Sequence, residues 1–507
     1  MKLNLEIESL EIEFSRSGGM GTSFSRHRMR GFSGMVAIGR STEQSSRLMP
    51  ERDYHEFYEV AGFFLFCFMS DSTGLAIEIQ RLKLKLTFIS IALLGLLVLS
   101  LTIGGCGQSS SNESAAIAEP SPSASPVASV DPESVNPQLA MANTRFGFKL
   151  FSQIYRQQTD RNLFISPTSV AIALSMVYNG AAGETQQAMA RTLELEGMSL
   201  AELNQGNLAL KSALERADEN VKLMIANGLW MQSGEEFQAQ FVENAQQFYQ
   251  AKVAKLNFSD PSAPTVVNEW VDRQTNGKIP EIVDRLPPET RLLLVNAIYF
   301  KGKWSRPFLV RSTEDRPFTL LDGQQKQHPL MSQTGEYRYL ENEVFQAVHL
   351  PYGKEGNIGF YVFLPKPEIG LSGFIDRLTL ETWDGWMNQF GWQPGSIKLP
   401  RFQLEYEITL NDTLKALGME IAFDGNRSNF SGIKTPPPNL AIDLVKHKTF
   451  VEVNEEGTEA AASTSVGIVA TSLPPEPFAL TVDRPFFCAI RDERTGTLLF
   501  LGAIVDP

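Results

Sequence analysis

The stretch from Glu455 to Ser472, EEGTEAAASTSVGIVATS, limits what this chain can fold into more than any other. It has the alternation of a strand, yet it carries no large apolar side chain before Val466 and a run of Ala, Ser and Thr where a buried strand has bulk. One parity set (Thr458, Ala460, Ala462, Thr464) is small. The opposite set (Glu459, Ala461, Ser463, Ser465) holds the only charge after Gly457. One face can therefore enter a sheet while Glu459 points outward. Between FVEVN and the Pro-rich SLPPEP, the stretch reads as a long loop with a second life as a strand, and by composition alone also as an Ala/Ser linker.

A length of 507 residues leaves room for two or three average domains or one large one, and 43% hydrophobic residues suffice for a sizeable core. The net charge of -13 argues against phosphate-backbone binding, so no nucleic-acid partner is expected. Cys67, Cys106 and Cys488 share no metal-ligand or C-x-x-C spacing. Neither a disulfide framework, a metal site nor a cofactor is called for.

Residues 1–80 contain Gly/Ser/Arg-rich patches and a short apolar run, FFLFCFM, that is too short to span a bilayer. They are assigned no fold and stand either as an extension or as sequence upstream of a start at Met69. Residues 81–105 read as a signal or membrane segment: RLKLK is a basic n-region, and LTFISIALLGLLVLSLTIGG is long enough to span or to serve as an h-region. Ile103, Gly104 and Gly105 before Cys106 resemble a bacterial lipobox, which implies cleavage before a lipidated Cys106; an uncleaved anchor is the alternative. Either way the protein is expected to be exported and tethered to a lipid bilayer, periplasmic or at the cell surface. Residues 106–135 continue as a Ser/Pro-rich linker with almost no large apolar residue.

The globular domain is expected over 136–507. Leu139, Phe146, Leu150 and Ile154 recur at helical spacing, and residues 162–193 read as a strand running through Ser166-Pro167 into a buried helix, a turn and a second helix. Further strands are expected at 225–232 and 291–304, with an amphipathic helix at 267–283 ended at Gly277. A hairpin at 345–365 turns at GKEGN, and strand, turn and helix fill 397–423. This order implies an α+β fold. No G-x-S-x-G, H-E-x-x-H or P-loop occurs, and His328, His349 and His447 are isolated, so no enzyme is expected. Cys488, inside FFCAI, reads as an inert buried thiol, and Trp304 as a core aromatic.

HKTFVEVNEEGTEAAAST (447–464), DRPFFCAIRDERTGTLLFLGAIVDP (483–507) and NAIYFKGKW (296–304) are long motifs. Together they resemble the serpins, the serine protease inhibitors, and the resemblance covers about residues 137–507. It implies a large central mixed β-sheet, two further sheets, about eight or nine helices and an exposed reactive-centre loop in a monomer. The hinge is then Glu455, Glu456, Gly457, Thr458, Glu459, Ala460, Ala461, Ala462 and Ser463. Counting seventeen residues from Glu455 puts the scissile bond at Thr471-Ser472. Ser166, Ser169, Asn296 and His447 correspond to the family's shutter beneath the sheet. Trp304, Arg401 and Glu455 correspond to its breach at the top, with Glu455 paired to Arg401.

The mechanism implied is that of a suicide substrate: a protease cuts the loop, forms an acyl-enzyme and is dragged away as the loop inserts into the sheet. Thr458 to Thr471, fourteen residues, would add a strand of roughly 46 Å at ~3.3 Å per residue. A small β-branched Thr471 suits elastase-like and subtilisin-like proteases rather than trypsin-like ones. The alternative is a non-inhibitory serpin-fold protein acting as a binding or chaperone module.

Overall fold

Residues 135–457 and 476–507 are described by the computed structural model, and within them lie fourteen strands and nine α-helices. The signal or anchor segment, Cys106 and loop residues 458–475 lie outside them. No helix of the described residues is long and apolar enough to cross a membrane.

Leu139, Phe146, Leu150 and Ile154 form the buried stripe of α1 (Pro137–Gln157). Asn136 caps that helix by accepting from the Gln138 N–H at 2.9 Å, and Pro137 sits where a missing N–H costs nothing. β1 (Leu163–Ile165) leads through Ser166 into α2 (Pro167–Tyr178), which is buried on every side. α3 (Gly183–Thr192) and α4 (Leu200–Glu215) follow, the latter started by a Ser199/Glu202 capping box. Next come β2 (Val221–Gln232), α5 (Ala239–Tyr249), β3 (Lys252–Leu256), α6 (Ala263–Gln274) and β4 (Leu292–Gly302).

The helix expected at 267–283 differs in both bounds: α6 begins earlier and stops at Gln274. The chain then turns through Asn276 and Gly277 at positive φ, and Pro280 prevents the helix from resuming. Asn268 holds the segment beyond that turn, accepting from the Ile282 and Val283 N–H groups at 3.0 Å each.

β5 (Glu314–Thr319), β6 (Gln325–Glu341), β7 (Phe345–Tyr352) and β8 (Ile358–Pro365) come next, the last two forming the hairpin expected around GKEGN. They are followed by α7 (Gly370–Ile375), α8 (Leu380–Met387), β9 (Gly391–Pro400) and β10 (Phe402–Thr409). α9 (Asn411–Leu414) is short, because Gly418 at φ +110 breaks the helical path that the sequence suggested up to 423. β11 (Leu444–Val453), β12 (Phe478–Thr481), β13 (Phe486–Asp492) and β14 (Leu498–Ile504) complete the chain.

β10-β11-β4-β2-β3 form a mixed five-stranded sheet, the pairs being antiparallel, parallel, antiparallel and parallel in that order. The other nine strands form one hydrogen-bonded path, β1-β14-β13-β8-β7-β6-β9-β12, with β5 on β6. The two further sheets expected from the sequence are thus continuous through β6, whose 17 residues reach both β7 and β9. By strand number this path exceeds the mixed sheet.

β4 is covered on both faces, which explains its nearly unbroken apolar run. Leu292, Leu294, Ile298 and Phe300 point into the main core with α2. Leu293, Val295, Ala297 and Tyr299 point the other way, onto Val267 and Val271 of α6 and Ile279, Ile282 and Val283 beyond it. Asn296 interrupts the main-core side of the strand. That one polar residue marks the site.

Candidate functional site

Register places Asn227 of β2 opposite Asn296 of β4, and Asn296 beside His447 of β11. The three polar side chains form a row across three adjacent strands, under the N-terminus of α2. His447 is fully buried; its Nε2 accepts from the Ser166 backbone N–H at 3.1 Å. Nδ1 must then carry the proton, and it donates to Asn296 Oδ1 at 2.6 Å. Asn296 Nδ2 in turn donates to Ser169 Oγ (2.5 Å) and Asn227 Oδ1 (2.6 Å), while Ser166 Oγ accepts from the Ser169 N–H at 3.3 Å.

The sequence singled out Ser166, Ser169, Asn296 and His447, and the structure brings all four together. It adds Asn227, which sequence reasoning missed: within IANGLWMQ it looks like any strand residue, and only the β2–β4 register reveals its partner. Burial pushes the His447 imidazole down to about 3. Both ring nitrogens are engaged, and the group bonded to Nε2 is a backbone amide rather than a hydroxyl. This histidine cannot serve as a general base toward Ser166.

The second cluster lies at the end of the sheet from which the loop departs. The β11–β4 ladder runs from Leu444/Leu293 to Phe450/Tyr299. β11 continues beyond it with β10 to Val453, and β4 continues with β2 to Gly302. Just past that point the chain after β4 holds the loop's root: the Phe308 N–H donates to the Glu455 carbonyl (2.7 Å), the Trp304 N–H to that of Glu456 (3.2 Å) and Trp304 Nε1 to that of Asn454 (2.8 Å).

The Trp304 indole stacks on Tyr352 with centroids 4.1 Å apart, so it is both a core aromatic and a clamp. Gly457 has φ +92, and a Cβ there would lie 2.5 Å from Trp304 N and 2.8 Å from Lys303 Cα. Only glycine fits that approach. Glu455 Oε2 lies 3.7 Å from Arg401 Nη1, and Oε1 accepts from Thr313 Oγ1 at 2.7 Å. The pair expected from the sequence is therefore present, with a third partner, Thr313, that the sequence did not suggest. Thr458, Glu459, Ala460, Ala461, Ala462, Ser463, Thr471 and Ser472 lie outside the described residues.

Of the other two histidines among the described residues, His328 Nε2 meets the Arg401 carbonyl at 2.6 Å, and His349 packs on Tyr361. Burial pushes the Cys488 thiol upward, as suits an unreactive core residue.

Comparison with known proteins agrees with this architecture. Residues 141–507 match the family described as Serpin (serine protease inhibitor). The leukocyte elastase inhibitor of Bos taurus is 36% identical over 394 residues, covering 73% of this chain and 100% of that protein. An uncharacterized serpin-like protein of Thermococcus kodakarensis is 35% identical over 366 residues, covering 71% of this chain and 84% of that protein. Among solved structures, the thermophilic serpin tengpin in its native state superposes with a TM-score of 0.67 at 30% identity, covering 74% of this chain and 95% of that one. Human thyroxine-binding globulin superposes with a TM-score of 0.67 at 29% identity, covering 73% and 98%. By its sequence match across most of its length and by its fold, the chain belongs to the serpin family.

Proposed function

We propose that this protein is a suicide-substrate inhibitor of elastase-like or subtilisin-like serine proteases, cleaved at Thr471-Ser472 and completed by insertion of the loop into the five-stranded sheet. The observation that carries this reading is the parallel β11–β4 pair, whose ladder ends at Phe450/Tyr299 beside the anchored root Glu455-Glu456-Gly457. A strand turning back from β11 runs antiparallel to it and hence to β4. Insertion replaces one parallel ladder by two antiparallel ones, which are the more stable kind per residue. Small side chains at Thr458, Ala460 and Ala462 suit burial there. Protease inhibition in general is supported by the family and by relatives named as elastase inhibitors.

The second reading, a non-inhibitory binding or chaperone module, is favoured by the likeness to thyroxine-binding globulin, a serpin named for a ligand. Incubating the purified protein with an elastase-type and a subtilisin-type protease separates the two. A covalent complex that survives SDS, with cleavage after Thr471, is expected. Loop cleavage with no complex at any ratio favours the binding module. For location, our proposal is a lipid-tethered exported protein carried by Cys106, which mass spectrometry of the mature N-terminus tests directly.

A further inference from the structure

The described chain breaks off after Gly457 and resumes at Glu476, and residues that line a single cleft hold both roots. That cleft, of about 390 Å³, is lined by Trp304, Arg306 and Phe308 from the chain after β4, by Glu336 and Tyr337 of β6 and by Trp392 of β9. The Trp304 and Phe308 N–H groups grip Glu456 and Glu455 at the first root. The second root is fixed by β9 and β6. Gln393 Nε2 donates to the Glu476 carbonyl at 3.1 Å, and β12 pairs with β9 from Phe478 and Gly395 onward. The Phe478 ring stacks on Tyr339 with centroids 3.9 Å apart and meets Tyr337 edge-on at 6.0 Å.

Chain length decides which root governs the position of the scissile bond. Four steps separate Ser472 from Glu476, a reach of at most about 14 Å, whereas fourteen separate Gly457 from Thr471, a reach of up to about 50 Å. A protease acting at Thr471-Ser472 is therefore confined to the neighbourhood of Glu476, and so of β9. A contact of standard size covers about 800 Å² on each partner, a patch about 16 Å in radius. Trp392, next in the chain to the Gln393 that holds Glu476, lies within reach of that footprint.

Trp392 is also the most open of the large hydrophobic side chains among the described residues, at 71% exposure. Around it the cleft carries exposed charges of both signs, Arg306 and Lys354 with Glu336 and Glu355. An exposed indole among mixed charges matches the make-up of a protein contact, in which aromatic anchors sit within a polar rim. Tryptophan is one of the side chains on which the affinity of such contacts most often turns.

We infer that Trp392 is a docking anchor for the target serine protease, touching the protease surface beside the subsites that hold the residues after the scissile bond. The matching protease surface is an apolar patch flanked by charges. Trp392 has this role only if the bond cut is Thr471-Ser472, as proposed above, and it then adds affinity that the loop sequence alone does not supply.

Calorimetry of the full chain with an elastase-type and a subtilisin-type protease, each with its catalytic serine replaced by alanine, tests docking apart from cleavage and insertion. Trp392→Ala should raise the dissociation constant about tenfold. Its unfolding midpoint should not change, since the side chain is mostly in solvent. Trp392→Phe should recover most of the loss. Val266→Ala, at an exposed apolar position of α6, should bind like the unaltered chain. Hydroxyl-radical oxidation of Trp392 should fall several-fold when the protease is bound.

Full-strength binding by Trp392→Ala, or undiminished oxidation of Trp392 in the complex, overturns the anchor and leaves the inhibitory reading standing. Failure of both proteases to bind the unaltered chain overturns that reading and the anchor with it.

Discussion

Arg401 and Glu455 share an ion pair but not its burial: the arginine side chain is 52% exposed and the glutamate 7%. Deleting the arginine strands a buried carboxylate with Thr313 as its remaining partner, whereas Glu455→Gln keeps the Thr313 hydrogen bond and releases the arginine to water. Arg401→Ala should therefore cost about 1–2 kcal/mol and Glu455→Gln less than about 1, solvent screening having reduced both. Denaturant midpoints of the two variants check the order, and a reversed order refutes it. The buried histidines give a second expectation. Their folded values, about 3 for His447 and about 4 for His349, lie below the ordinary 6.5, so the unfolded chain binds protons first as pH falls. Stability from holding them neutral is complete above about pH 6.5 and is lost as pH drops through it, by up to about 2 kcal/mol from each by about pH 5. An unfolding midpoint that does not change between about pH 7 and about pH 5 would contradict this. At this scale His447 and Ser166 were legible because long motifs carry them. Asn227 and Thr313 were not, because their roles arise from register and from a turn that no local pattern encodes.

Among the elements, β4 and the β7–β8 hairpin were legible, since an apolar run bounded by turn residues allows little else. The stretch 397–423 was misread for an identifiable reason. Pro400-Arg401 marks where the chain leaves β9 for β10, a change of sheet that alternation alone cannot show. Arg401 lies at that junction, which is how it reaches Glu455. Under the proposed mechanism the first residue to enter beyond Gly457 is Thr458. Thr458→Arg would bring a guanidinium into the sheet with no partner, so the loop should still be cut but the complex should fail to form. Gel analysis at equal protease ratios checks this; an unchanged inhibitory stoichiometry in that variant removes the insertion step from the mechanism.

For the whole molecule, the proposal sets the sign of a simple measurement. Nicking the loop between Ser465 and Ser472 with a non-target protease should raise the melting temperature far above the few degrees that a ~1 kcal/mol change produces, because the freed segment can pair on both edges. An ordinary protein nicked in an exposed loop gains nothing. A midpoint that is equal or lower after verified cleavage sends the assignment back to the binding module. The polar row beneath the sheet adds a threshold to that process. A strand lying between β11 and β4 separates them by two strand spacings, about 9.5 Å, which no direct His447–Asn296 hydrogen bond survives. From the top, the register gives three rungs, Phe450/Tyr299, Thr449/Ile298 and Lys448/Ala297, before the row is reached at the fourth. Parting the first also separates the Phe450 and Tyr299 rings, whose centroids are 5.9 Å apart; parting the fourth unseats a buried imidazole, a carboxamide and the cap of α2 together. Under the proposed mechanism, insertion that halts above His447 should reverse more readily than insertion that passes it.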